Sequence, residues 1–156
     1  MRDSLPIHPS KKYDLRSVTA IKYLVVHHTA VEMFGNTAEK AISIANFHIF
    51  DLHHNWPGIG YQWFLDKKGG LVQCHSDTVM SYHVASRNQE CLGICLEGNL
   101  NIHKPTDAQL TSLQAWIRYY KKKYPSAEVV GHKNIALPGH ETACPGYLFE
   151  TWRPQA

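Results

Sequence analysis

The sequence predicts an α/β fold: a single domain built on a central mixed β-sheet flanked by helices. Two patterns carry that reading. Short β-branched runs alternate with longer segments of helical period in the order strand, helix, hairpin, strand, helix, strand, and both long segments open on a capping box. With 44% hydrophobic and 19% charged residues among 156, the chain can bury roughly two thirds of the surface that its unfolded form exposes. It shows no internal repeat, no low-complexity segment and no second domain.

Residues 21–28, "IKYLVVHH", form a short apolar β-branched run that ends in polar residues, the pattern of a buried strand. Asn36 and Glu39 make the first capping box, and Ala38, Ala41, Ile42, Ala45, Ile49 and Leu52 then recur at helical spacing, giving a helix over about 37–53 that "NWPG" stops. "IGYQWFLDKKGGLVQCH" reads as a β-hairpin around Lys-Lys-Gly-Gly. In "CLGICLEGN" Leu92, Ile94 and Leu96 alternate with Cys91, Gly93, Cys95 and Glu97, a further strand. Thr106 and Gln109 open the second helix, whose stripe Leu110, Leu113, Ile117, Tyr120 and Tyr124 runs to Pro125. "AEVVGH" is a last short strand, and residues 132–146 are expected as a loop rich in Pro, Gly and His.

The net charge of +3 is too small to imply a nucleic-acid partner. The basic residues gather in two patches, one of Arg2, Lys11, Lys12, Arg16 and Lys22, the other of Arg118 and Lys121 to Lys123. They read either as solvated surface with favourable helix-end charge or as attraction to an anionic polymer such as a bacterial envelope. No apolar run is long enough to span a membrane, and the N-terminus lacks the apolar core of a signal peptide. The expectation is a protein made in the cytoplasm. Cys91 and Cys95 sit ~13 Å apart along one strand and cannot pair, Cys74 is left able to pair with either, and Cys144 stands alone. Free thiols or metal ligands are the expected state in a chain without an export signal.

Sites in such folds collect at strand ends and in the loops that leave them. Three such places hold metal-ligating side chains: the pair His27 and His28, then His132, then Cys144. Two neutral imidazoles and one thiolate would leave a bound Zn²⁺ with a net charge of about +1 and a fourth position open, the donor set of catalytic rather than structural zinc.

Six stretches in order, "VVHHTA", "NWPGIGYQWFLDKKG", "SYHVA", "LGICLEGN", "VVGHKNI" and "TACPG", resemble the motifs of the zinc-dependent N-acetylmuramoyl-L-alanine amidases of the type 2 family, which includes phage endolysins and peptidoglycan recognition proteins. The resemblance runs over about residues 20–148. It implies one Zn²⁺ per chain held by His27, His132 and Cys144, with Tyr61 as the active-site tyrosine and Thr142 as a hydrogen-bond donor to the transition state. It further implies that Glu97 orients a ligand histidine or shuttles a proton, that His83 meets the glycan or peptide in the groove, and that Trp56 stacks on substrate. His48 is expected to be structural. Residues 1–20 would be a basic N-terminal arm and 21–156 the catalytic domain.

Cys144 follows His132 by twelve residues, longer than the family's common spacing, and His140 between them makes a rival ligand set. The strand-end context of "VVGHK" favours His132, because a rigid frame suits a ligand. The functional expectation is an endolysin that acts on bacterial peptidoglycan after release from the cytoplasm, working as a monomer. A cytosolic amidase recycling soluble muropeptides and a non-catalytic peptidoglycan-binding protein are the alternatives.

Overall fold

The computed structural model describes residues 4–154, so Arg2 of the first basic patch lies outside them. Five strands make one sheet in the order β3-β2-β4-β1-β5: β1 (Tyr23–His28), β2 (Trp63–Leu65), β3 (Leu71–Gln73), β4 (Cys91–Leu96) and β5 (Glu128–Gly131). Only β2 and β3 are antiparallel; β1 runs parallel to both β4 and β5, and β2 parallel to β4. The central strands β1 and β4 are covered on both faces, which explains their unbroken apolar runs.

Side-chain alternation divides these strands cleanly between two layers. Leu24, Val26, Leu92, Ile94 and Leu96 pack with Leu113, Ile117 and Tyr120 of α2 (Asp107–Lys123). Cys95 turns the other way and packs among Ala41, Ile44 and Ala45 of α1 (Thr37–Phe50). Both capping boxes form: the Asn36 side chain accepts from Ala38 and Glu39 amides, and Thr106 accepts from the Gln109 amide. The hairpin turns as expected, with Asp66 Oδ1 accepting from the Lys68 and Gly70 amides at 2.9 and 2.8 Å.

Three boundaries differ from the sequence reading. Helix α1 stops at Phe50, three residues early, because Asp51 Oδ1 accepts from the His53 and His54 amides at 3.0 and 3.1 Å and draws the backbone into a turn. The stretch expected as a loop from His132 begins with a single-turn helix, α3 (His132–Ile135), and α4 (Phe149–Trp152) closes the chain against the α2 layer. Lastly, the N-terminal segment is bound into the body of the fold. Leu5 joins the α1-side core, Tyr13 donates to the Gly58 and Ile59 carbonyls, and Arg16, one of the first basic patch, is 6% exposed with its guanidinium on the Asp77, Asn88 and Cys91 carbonyls, so it belongs neither to a solvated surface nor to one open to an anionic polymer. All four cysteines are free, Cys74 included. No helix among the described residues is long and apolar enough to cross a membrane.

Candidate metal centre and its cleft

Strand register assembles the centre. β1 and β5 are paired up to Val26 and Gly131, so His27, the next residue of β1, and His132, the first residue of α3 beyond β5, come to lie beside each other with ring centroids 4.7 Å apart. The loop beyond α3 returns Cys144 to the same point, held by the Lys133 amide on the Cys144 carbonyl at 2.7 Å and the Lys133 ammonium on the Gly146 carbonyl at 3.0 Å. Cys144 Sγ lies 3.6 Å from His27 Nδ1. One ligand atom from each of His27, His132 and Cys144 falls within 4.8 Å of the others, the sole such group among the described residues. His140 is exposed and outside it.

This donor set fits zinc. Burial pushes the His132 pKa down to about 4 and His27 well below its ordinary value, the latter helped by His83 and His132 close by, so both rings are neutral and able to ligate. Burial also pushes the Cys144 thiol up to about 12, opposed by a hydrogen bond from the His28 backbone amide. A thiol so placed ionises only with a cation beside it, and a divalent metal provides one. His28 itself turns to the opposite face and its Nδ1 accepts from the Leu100 amide at 3.0 Å.

The centre opens into a cleft of about 690 Å³ whose walls include Trp56, Tyr61, Tyr82, His54, His140 and Thr142. Tyr61 stands with its ring 5.1 Å from His27, and its hydroxyl, paired with the Cys95 thiol, is pushed well above its ordinary pKa by burial. It is therefore a phenol that can donate, not a phenolate. Thr142 Oγ1 accepts from the Cys144 amide at 3.1 Å, the turn that presents the cysteine, and keeps its own proton free. Trp56 sits on the rim, edge-on to Tyr82 and His54. His48 is structural as expected, with Nδ1 accepting from the Gly60 amide at 2.9 Å.

Glu97 is placed otherwise than expected, whereas His83 lies in the cleft as expected but with its ring nitrogens taken. Glu97 touches no ligand histidine: it is 1% exposed and accepts from Lys40 Nζ at 2.8 Å and from the Lys67 and Met33 amides. One residue past β4, it turns toward α1 and ties that helix to the hairpin. His83 forms the cleft floor, but both its nitrogens are engaged, Nδ1 with His27 Nε2 at 2.9 Å and Nε2 with the Cys91 carbonyl at 3.3 Å, leaving none for glycan or peptide. Tyr82 and His54 were missed. The neighbouring position in "SYHVA" and the Asp51 to His54 spacing, which closes a 2.7 Å contact, were the available signals.

The family model described as N-acetylmuramoyl-L-alanine amidase matches residues 17–147. The N-acetylmuramoyl-L-alanine amidase LysC of Clostridium intestinale has a solved structure similar to this one, with a TM-score of 0.71 and 25% identity over 94% of this chain and 93% of that one. An endolysin from a Thermus scotoductus bacteriophage gives 0.75 and 25% over 89% and 85%. Among curated relatives, peptidoglycan-recognition protein SC2 of Drosophila melanogaster is 25% identical over 81% of this chain and 68% of its own length.

Proposed function

The chain belongs to the N-acetylmuramoyl-L-alanine amidase family, and from that membership we propose that it is a zinc-dependent peptidoglycan amidase that cuts the bond between N-acetylmuramic acid and L-alanine, acting as a lytic endolysin. The observation that carries the reading is the convergence of His27, His132 and Cys144 ligand atoms within 4.8 Å at the floor of an open cleft. A Zn²⁺ held there would supply Lewis acidity to activate water and polarise the scissile carbonyl.

The chain's own groups divide the remaining tasks. His27, His132 and Cys144 would hold the ion, a three-ligand set of the kind that catalytic zinc uses. Tyr61, kept protonated by burial, would turn its hydroxyl from the Cys95 thiol to the carbonyl oxygen as negative charge develops on it. Thr142, which lines the same cleft and whose oxygen accepts the Cys144 amide, keeps a hydroxyl proton to donate in the same way. Trp56 and Tyr82, both lining the cleft, supply aromatic surface against which a sugar ring can pack. The complete ligand set argues against a protein that only binds the wall.

Rates on intact sacculi and on soluble muropeptides test the lytic role. The reading expects turnover of sacculi with release of free L-alanine N-termini. Turnover confined to the soluble fragments would instead assign the chain to muropeptide recycling.

A further inference from the structure

We infer that His83 is a positioning residue for the metal centre: it fixes the tautomer of His27 so that Nδ1 is presented bare to the ion. The inference rests on the reading of His27 as a zinc ligand. The hydrogen-bond chain has a direction that chemistry imposes. The Cys91 carbonyl only accepts, so the His83 nitrogen 3.3 Å from it, Nε2, carries the proton. A neutral ring then has a lone pair on Nδ1, and its partner at 2.9 Å, His27 Nε2, must donate. The His27 proton is thereby committed to Nε2, and Nδ1 is left unprotonated beside Cys144 Sγ. Outer partners that fix a ligand histidine in this way set both its orientation and its basicity.

The surroundings are built to hold the His83 ring. Asn88 Oδ1 accepts from the His83 and Val84 amides, both at 2.8 Å, and clamps the backbone. Gly93 gives the ring its space on β4: a Cβ there would lie 2.7 Å from His83 Cε1 and Nδ1. Gln62 Oε1 holds the Gly93 amide at 2.7 Å. The Arg16 guanidinium donates to the Cys91 carbonyl, the last acceptor of the chain, and to the Asn88 carbonyl at 2.7 Å. None of these residues touches the ion site, yet each fixes one end or one side of the relay.

Long-range ¹H–¹⁵N correlation of the metal-free wild type reads the tautomers directly, and both His27 and His83 are expected to carry their proton on Nε2. By chelator competition, His83→Ala should weaken zinc binding by about 10–100-fold. His83→Gln, whose amide can accept from His27 and donate to Cys91, should recover most of it, and Gly93→Ala should weaken it by displacing the ring. A merely structural His83 would lower the melting temperature of the metal-free protein and leave zinc affinity unchanged. Protonation of His27 on Nδ1 in the wild type, or unaltered zinc affinity in a folded His83→Ala, overturns the inference, and the wild-type spectrum decides even where that variant does not fold. If the wild type shows both tautomers as expected but takes up no zinc, the zinc reading fails and the relay stands.

Discussion

His27 and His28 differ by one position on β1 and so by the face of the sheet that their rings occupy. His27 enters the cleft with Cys144 and His132, while His28 holds the Leu100 amide on the far side. Their substitutions should therefore separate. His27→Ala should abolish zinc content and activity, whereas His28→Ala should retain zinc and lose about 1–3 kcal/mol of stability, the cost of a buried amide without its acceptor. Equal zinc loss in the two variants, measured by elemental analysis, contradicts this division. The same analysis separates the rivals in the long loop: His132→Ala should lose the metal and the exposed His140→Ala should keep it, with zinc near one per chain in His132→Ala as the contrary result. The convergence of His27, His132 and Cys144 was legible in sequence because strand ends and motif context mark those positions. The engagement of His83 was not, since its partner His27 lies 56 residues earlier and only the spatial fold joins them. Gly93 inside an apolar strand was the one local hint that something approaches the backbone there.

At the scale of elements, caps and alternation were readable because they depend on neighbours three or four residues away or on the pleat. Helix α2 follows its predicted stripe, and β4 splits its two faces between the α1 and α2 layers. What local pattern does not carry is an ion pair across elements. Lys40 falls on the buried face of α1 and meets Glu97 with both side chains nearly inaccessible, at 7% and 2% exposure. Glu97 also takes the Lys67 and Met33 amides, joining α1, the hairpin and the loop after β1. Lys40→Met should cost roughly 3–5 kcal/mol by leaving that carboxylate buried without its countercharge. Zinc stoichiometry should stay at the wild-type value in the folded fraction. Denaturant unfolding of the metal-free protein checks the first expectation, and stability within 1 kcal/mol or so of wild type contradicts it.

For the whole molecule, acid should weaken the metal-free fold, and His48 supplies one identifiable part. Burial, with His54 beside it, pushes its pKa from 6.5 down to about 4 against a raising effect of Asp51. A proton on Nδ1 would also displace the Gly60 amide. Because the folded pKa lies below the unfolded one, the unfolded chain binds the proton first as pH falls. The contribution is complete above the unfolded value and declines from there to about pH 4, a loss on the order of 3 kcal/mol at ~1.4 kcal/mol per unit. His48→Gln should flatten that part of the melting profile, and an unaltered slope would assign the acid sensitivity elsewhere. The central claim, a zinc amidase of the cell wall, is tested most directly by mass spectrometry of peptidoglycan digested with the purified protein, with and without a chelator. The account predicts stem peptides bearing free L-alanine N-termini, their loss on chelation and their return with added Zn²⁺; release of reducing sugar ends, or digestion that chelation leaves untouched, would contradict it.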